Sequence, residues 1–325
     1  MENASNPQSA NRSPWLHRYA SLLAASTCFL IFAGGAVTTT GSGLAVPDWP
    51  LSYGMVMPPM IGGIFYEHGH RMVATLVGML TIGLAFWLQL KEDRVWLKRL
   101  GWAALAGVIT QGVLGGITVL FFLPTAISVS HAGLAELFFA TTVAIALFTS
   151  RSWKQPAMFD EKPRAVSLKT LTTVTALATY IQILLGALMR HTKAGLAIPD
   201  WPLSFGRIIP PFDTSGVVFN FLHRSWALVV TALIVWLLVR VLRDHADRPH
   251  FRNPAILLTV LVVAQITLGA YTIWTEKAFY PTTFHVAVGA TTWATTVVLV
   301  LRARRHLPSP RRVPAANLRV EGSPA

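Results

Sequence analysis

The chain carries one chemical pattern twice. The segment GLAVPDWPLSYG at 43–54 returns as GLAIPDWPLSFG at 195–206, 152 residues later. A histidine followed directly by an arginine comes after each segment, first at His70 and then at His223. A repeat of this length predicts two copies of one structural unit within a single chain.

A second repeated pattern lies further along each half. The segment QGVLG at 111–115 corresponds to QITLG at 265–269, and His131 corresponds to His285, with the same offset of 154 residues. Each half therefore holds two histidines at matching positions. A duplication that repeats its histidines predicts two equivalent binding places.

The composition places these histidines in a membrane. Of the 325 residues, 53% are hydrophobic and only 13% are charged, against about 25% charged in soluble domains. The net charge of +13 does not indicate nucleic-acid binding, because the basic residues lie in short loops beside apolar runs. The single cysteine, Cys28, allows neither an intrachain disulfide nor a thiolate metal cluster.

Apolar windows of the length needed to cross a bilayer predict an all-α integral membrane protein with eight transmembrane helices. The predicted spans are 19–38, 70–90, 100–122, 128–149, 168–190, 222–242, 255–275 and 283–301. Four spans in each repeat give both halves the same orientation. We therefore expect two four-helix bundles related by a pseudo-twofold axis along the membrane normal.

The basic residues predict which way the chain faces. The termini and the short loops after even-numbered spans hold 21 of the 27 Lys and Arg residues. Both termini are therefore expected in the cytoplasm, with the long loops 39–68 and 191–221 outside. These loops are expected either to cap the membrane interface or to close over an outward-facing pocket. The first fifteen residues lack a secretory signal, so we expect a multi-pass protein of the cytoplasmic (inner) membrane.

This topology predicts five segments. They are a cytoplasmic tail at 1–18, a first bundle at 19–149, a cytoplasmic linker at 150–167, a second bundle at 168–302 and a cytoplasmic tail at 303–325, disordered from 306.

The four repeated histidines are expected at the outer ends of even-numbered spans. Two facing helices in each half then present one imidazole each, which is how four-helix bundles hold heme. Zinc is less favourable, because no cysteine or carboxylate cluster accompanies either pair. The unrepeated histidines are interpreted as surface or loop residues: His17, His68, His191, His245, His250 and His306.

Charged neighbours distinguish the two halves. Arg71 and Arg224 are expected to pair with heme propionates, or else to reach the interface from a helix end. Glu67 lies three residues before His70, whereas Asn220 holds the matching place in the second half. A carboxylate beside a ligand site can move protons, so Glu67 is the predicted catalytic residue. The alternative is that Glu67 caps its helix or neutralises Arg71.

These motifs, taken in order, resemble the heme A synthase family. The resemblance rests on GSGLAVPDWP, the Glu67-x-x-His70-Arg71 element, QGVLGG before His131, and the second copy near His223 and His285. It implies oxidation of the C8 methyl of heme O to a formyl group, through a hydroxymethyl stage, to give heme A for terminal oxidases.

The resemblance also implies roles for individual residues. His223 and His285 are the expected axial ligands of a resident heme b, and His70 and His131 are expected to face the substrate, heme O. Glu67 matches the family's essential acid. Many members carry a cysteine pair in an outer loop, which this chain lacks, so thiol-based steps are not expected here.

The expected partners follow from this chemistry. They are heme O, the heme O synthase that supplies it, oxidase-assembly factors that receive the product, and membrane lipids, but no nucleic acid. Gly34-Gly35 and Gly115-Gly116 allow close helix approach, either within one chain or between protomers of a homo-oligomer.

Two other functions compete with the synthase. A di-heme electron-transfer protein with bis-His sites would need no difference between Glu67 and Asn220. A transporter is disfavoured, because the ionisable residues are expected to cluster at one membrane face, away from the midplane.

Overall fold

The computed structural model describes residues 14–154, 158–162 and 164–307. Most of the predicted N-terminal tail and nearly all of the predicted disordered C-terminal stretch lie outside these residues.

Eight long helices account for most of the described chain. They are α1 (Pro14–Thr39), α2 (Gly62–Lys91), α3 (Val95–Leu120), α4 (Thr125–Thr149), α5 (Leu168–His191), α6 (Ser215–Asp244), α7 (Pro249–Trp274) and α8 (Phe279–His306). Each of the eight is long and apolar enough to cross a membrane. The prediction of an all-α membrane protein with eight spans is therefore confirmed. Short helical turns at Arg151–Lys154 and Ala194–Leu196 lie in the connections.

Several helices are longer than predicted. Helix α2 begins at Gly62 instead of residue 70, and α6 begins at Ser215 instead of residue 222. The second turns of these helices hold polar residues, Glu67 in α2 and Asn220 in α6, which lower the hydropathy of a window. Each of these side chains forms a hydrogen bond with a loop residue, and the helices continue through them. Helix α8 likewise continues to His306, past the predicted boundary at 302.

Within each half, consecutive helices pack as neighbours and the first helix also packs against the fourth. In the first half α1 contacts α2 and α4, and α3 contacts α2 and α4. The second half repeats this arrangement with α5 to α8. Each half has a core of its own, around Leu84 and Leu97 in the first and around Leu237 and Leu258 in the second. The twofold relation between the halves stays a prediction.

The two halves meet through α1 and α4 on one side and α5 and α8 on the other. The contact is apolar and made partly of small residues, with Phe139 of α4 packed on Ala290 and Ala294 of α8. The indole of Trp293 donates a hydrogen bond of 3.1 Å to the backbone carbonyl of Glu136. The outward faces are apolar as well, with Leu228 73% exposed and Val260 60% exposed, as expected for surfaces that face lipid.

The two ends of the molecule differ. One end, the loop end, carries the long loops 40–61 and 192–214. The opposite end carries short connections with ion pairs, including Arg94 with Glu92 at 2.9 Å and Arg240 with Asp244 at 2.8 Å. The sequence repeat therefore places both of its long loops at the same end.

Candidate functional site

The four repeated histidines lie near the loop end, each inside an even-numbered helix. His70 and His223 are eight residues from the starts of α2 and α6, and His131 and His285 are six residues from the starts of α4 and α8. The expectation that they begin their helices was therefore wrong by about two turns. Corresponding histidines of the two halves therefore lie at the same distance from the starts of their helices, as the sequence repeat predicts.

A glycine of the preceding helix supports each imidazole. A Cβ atom added at Gly34, Gly115, Gly186 or Gly269 would lie 2.9–3.2 Å from the Cε1 atom of His70, His131, His223 or His285, respectively. No larger side chain fits these positions without moving the ring. The glycines therefore fix where the imidazoles lie.

The two nitrogens of these rings have different surroundings. In His70, His131 and His285, Nδ1 is buried and has no hydrogen-bond partner among the described residues, whereas Nε2 remains accessible. An imidazole ring that packs against a glycine and keeps an accessible, unpaired Nε2 can serve as an axial ligand. The donor chemistry of the pairs therefore fits heme iron.

The second pair has a spacing that fits one iron between two rings. The ring centres of His223 and His285 are 6.4 Å apart. Two imidazoles on opposite sides of one metal ion place their centres roughly 6 Å apart, given metal–nitrogen bonds of about 2.0–2.1 Å. Within the described parts of the chain, no group of three or more His, Cys, Asp or Glu side chains could hold a metal ion. Two imidazoles 6.4 Å apart are the donors that His223 and His285 offer.

Glutamines hold two of the four histidine segments. The Nε2 atom of Gln111 donates to the carbonyl of His131 at 2.8 Å, and that of Gln182 donates to the carbonyl of His223 at 3.0 Å. Gln265 occupies the same place, four residues before its glycine. The sequence repeats Gln-x-x-x-Gly at 111, 182 and 265, but the copy at 182–186 was missed. In α1 the corresponding residue is Leu30, so the segment around His70 lacks this contact.

Glu67 is buried, with a relative exposure of 4%. Its Oε2 atom accepts a hydrogen bond of 2.8 Å from the backbone N–H of Val46, and its Oε1 atom lies 2.7 Å from Nη2 of Arg71. Asn220 in the second half instead donates to the carbonyls of Ala194 and Gly195 at 2.9 and 3.1 Å. Glu67 therefore accepts a hydrogen bond from its loop, whereas Asn220 donates hydrogen bonds to its loop.

The repeated arginines bind the long loops. Arg71 donates from Nη1 to the carbonyls of Asp48 and Leu51, both at 2.8 Å. Arg224 makes the same contacts with Asp200 and Leu203, at 2.8 and 3.2 Å. Their terminal nitrogens therefore already have partners, and a propionate role for either arginine stays a prediction.

The first loop also docks on α3 beside a histidine support. The indole ring of Trp49 lies against Gly116, where an added Cβ would be 2.6–2.9 Å from ring atoms. Gly116 adjoins Gly115, which supports His131. The paired glycines Gly34-Gly35 and Gly115-Gly116 thus make their close contacts within one chain, and Gly35 meets Val286 of α8.

Comparison with known proteins identifies the family. The model of the family described as "Cytochrome oxidase assembly protein" (COX15-CtaA) matches residues 61–297, which include all four repeated histidines. The chain belongs to this family.

Curated relatives resemble the chain over most of its length. A heme A synthase of Symbiobacterium thermophilum is 32% identical over 257 residues, 76% of this chain and 82% of the relative. Heme A synthases of Alkalihalophilus pseudofirmus and Shouchella clausii are 31% and 29% identical, covering 83% and 90% of this chain and 91% and 98% of the relatives. The similarity therefore extends over both halves of this member of the cytochrome oxidase assembly protein family.

Three histidines that were interpreted as surface or loop residues are buried. His68, His245 and His306 have relative exposures of 6%, 1% and 2%. His68 lies next to Glu67, and its Nδ1 atom is 2.8 Å from Oγ of Ser52. His306 stacks on His250 at the opposite end, with ring centres 5.3 Å apart. Polar or aromatic partners near helix ends make this burial tolerable.

The contact of His68 belongs to the first half alone. Phe221 occupies the corresponding position of the second half. The same offset of 153 residues that relates Glu67 to Asn220 also relates His68 to Phe221, and this second difference was missed. The two halves therefore differ at two adjacent polar positions.

A buried acid near the middle of α4 was also missed. Glu136 is 5% exposed, and its Oε2 atom has no hydrogen-bond partner among the described residues. Ala290 takes its place in the second half. The expectation that ionisable residues stay near one face was therefore wrong, and a single Glu within an apolar run is the signal that would have found it.

An aspartate in each loop folds a tight turn and gives a prediction about pH. Hydrogen bonds from the backbone N–H groups of Gly54 and Tyr53 hold the pKa of Asp48 below its ordinary value of 3.8. Because the pKa is lowered, the charged carboxylate stabilises the turn fully at pH values above the ordinary pKa of 3.8. This stabilisation is lost as the pH falls through the lowered pKa. We expect hydrogen exchange at these two amides to keep its protection from pH 7 to pH 4 and to lose it below 3.8.

Asp48→Asn supplies the control, because it removes the charge at every pH. Exchange at Tyr53 and Gly54 should then be faster at neutral pH and should show no further step below pH 4. A protection step near pH 6 in the unsubstituted protein would contradict the assignment to Asp48.

Proposed function

We propose that this chain is a heme A synthase, an oxidoreductase that oxidises the C8 methyl group of heme O to the formyl group of heme A. One observation carries the proposal: two equivalent histidine pairs rest on glycines, and a buried acid, Glu67, lies three residues before His70 of the first pair, where Asn220 takes its place before His223 of the second. The names of the curated relatives and the family match support the same activity. A carrier of electrons alone would leave the difference between Glu67 and Asn220 without a purpose.

The second half is the proposed site of a resident heme b. His223 and His285 would be its axial ligands, because the spacing of their rings fits one iron. The side-chain amide of Gln182 lies 3.1 Å from Nδ1 and 3.5 Å from Nε2 of His223. The bound group would supply one-electron redox chemistry. The protein holds the two rings with Gly186 and Gly269.

The first half is the proposed substrate site. His70 and His131 would bind heme O, with Glu67 as the catalytic residue nearby. With water as the oxygen source, oxidation of the methyl group to hydroxymethyl and then to formyl would release two protons and two electrons at each stage. An electron acceptor would take the electrons, and a carboxylate can accept a proton. Because Val46 and Arg71 hold the carboxylate of Glu67, its access to the substrate depends on the position of the first loop.

The charge distribution supports an orientation. Loops at the end opposite the long loops carry most of the Lys and Arg residues, which predicts that this end faces the cytoplasm. We therefore place both termini in the cytoplasm, the loop end and both heme sites toward the outer face, and the chain in the cytoplasmic membrane. In this arrangement residues 19–149 form the substrate half, 150–167 the linker and 168–302 the resident-heme half.

The partners follow from the solubility of the substrate. Heme O is insoluble in water, so the membrane offers a route from heme O synthase to this enzyme and from it to oxidase-assembly factors. The apolar outward faces fit membrane lipids, and the basic loops need no nucleic acid to account for them.

Pigment analysis of the purified protein tests the proposal. The protein is produced in cells that supply heme O, and the extracted hemes are identified by chromatography and mass spectrometry. Heme A or its hydroxymethyl precursor is the expected result. Heme b alone, despite ample heme O and a working electron acceptor, would favour a di-heme electron-transfer protein instead.

The glycine supports give a prediction of their own. In Gly186→Ala the new Cβ would lie 2.9 Å from Cε1 of His223, so the ring must move away from its ligating position. Overpacking of this kind costs about 1–3 kcal/mol, so heme b retention should fall roughly tenfold or more. The measurement is the ratio of heme to protein after purification.

Gly78→Ala is the matched control, because a Cβ at that helical glycine meets no atom within 4 Å. Its heme content should equal that of the unsubstituted protein. Full heme content in Gly186→Ala as well would show that Gly186 does not fix the position of His223.

A further inference from the structure

The guanidinium group of Arg190, at the end of α5, lies where the two halves meet. Its Nη2 atom donates to the carbonyl of Gly35 at 2.6 Å and to Oγ1 of Thr39 at 3.0 Å, both on α1 of the first half. Thr39 in turn lies 3.3 Å from the hydroxyl of Thr283 on α8, two residues before His285. Arg190 is therefore at a junction of three helices beside the second histidine pair.

The charge of Arg190 has no counter-charge in the described parts of the chain. No carboxylate lies within 4.0 Å of it there, whereas Arg71, Arg164 and Arg240 all have acidic partners. An unpaired cation between membrane helices is costly, so it needs an anionic partner. The position of Arg190 at a helix C-terminus offsets only part of this cost.

Arg190 also keeps unused hydrogen-bond donors. Both of its hydrogen bonds leave from Nη2, so Nε and Nη1 donate to no described residue. Neither atom is among the buried polar atoms that lack partners, so both remain accessible. Each free donor lies on its own side of the guanidinium, and either can donate a charge-assisted hydrogen bond to a carboxylate oxygen.

The two repeated arginines do not offer this chemistry. The terminal nitrogens of Arg71 and Arg224 bind loop carbonyls, as described above. Arg190 has no repeated counterpart, because the matching residue of α1 is Thr38. The accessible, uncompensated cation is thus a feature of the second half, and it lies near enough to His285 to interact with it electrostatically.

We propose that Arg190 binds a propionate carboxylate of the heme held by His223 and His285. The proposal rests on the proposed function, since it requires a heme at that pair. It moves the expected propionate contact of the second half from Arg224 to Arg190. It also gives that heme a direct link to α1, and hence to the half proposed to bind heme O.

The test compares Arg190→Gln with the unsubstituted holoprotein, purified from cells that make heme b but no heme O. The variant loses a charge-assisted hydrogen bond to the propionate, so transfer of heme to excess apomyoglobin should be roughly tenfold faster or more. The midpoint potential of the heme should also fall, because a nearby positive charge that favours the reduced state is lost. Arg190→Lys should lie between the two proteins in both measurements.

Thr39→Val separates ligand binding from helix packing. It removes one hydrogen bond of the guanidinium to α1 but leaves the charge in place. If Arg190 only joins the halves, Thr39→Val should speed heme loss as Arg190→Gln does. If Arg190 binds a propionate, Thr39→Val should keep the unsubstituted rate and potential. Lys193→Gln, an exposed charge change three residues away, controls for general electrostatics.

The two proposals can fail separately. A low-spin bis-His heme in the unsubstituted protein, with rate and potential unchanged in Arg190→Gln, would overturn the role of Arg190 alone. No such heme in the unsubstituted protein would overturn both. Protein from cells that supply heme O would hold heme O as well as heme b. If Arg190→Gln then changes only the heme O, the propionate that Arg190 binds does not belong to the heme held by His223 and His285.

Discussion

Glu67→Gln is expected to abolish most formation of heme A while the protein keeps its resident heme. Glutamine has the same shape and can still accept the hydrogen bond from Val46, but it loses the ion pair with Arg71 and the ability to take up a proton. Loss of a general acid or base lowers rates by a factor on the order of 10²–10⁴. The rate of formyl-product formation per heme, measured by mass spectrometry, checks the prediction.

Asn220→Ala is the matched control for loop anchoring. It removes two hydrogen bonds to the loop of the second half without removing an acid. Product formation near the unsubstituted rate is expected. If Glu67→Gln converts heme O as fast as the unsubstituted protein, Glu67 is a loop anchor and not a catalytic residue.

His223→Ala and His285→Ala should each remove the low-spin spectrum of the resident heme. A heme held by His223 and His285 would lose one of its two imidazoles in either variant. The ring centres lie 6.4 Å apart, so each replacement affects the same site. We expect near-complete loss of the low-spin signal in the absorption spectrum of the purified protein. Formation of heme A should be lost with it, because the electrons then have no resident acceptor.

Two variants define the specificity of this result. His70→Ala changes the proposed substrate site and should keep the resident low-spin spectrum. His250→Ala changes a histidine at the opposite end of the molecule and should keep both spectrum and activity. A full low-spin spectrum in both His223→Ala and His285→Ala would place the resident heme elsewhere.

The sequence alone determined the class of fold and the identity of the repeated histidines. Apolar runs of about 20 residues admit only membrane-spanning helices, and the offsets that relate His70 to His223 and His131 to His285 pair the halves without any coordinates. Hydropathy windows could not find where α2 and α6 begin, because Glu67 and Asn220 lower the hydropathy near the starts of these helices and are stabilised there by loop contacts.

The tertiary structure decided which groups are available for binding. Arg71 and Arg190 are equally charged in the sequence, yet only the packed helices show that loop carbonyls and Glu67 occupy the first and that the second keeps free donors. Likewise His68 and Glu136 become buried through partners far away in the chain, such as Ser52 and Trp293. A residue's partners depend on distances between segments that are separate in sequence, and periodicity and spacing do not encode those distances.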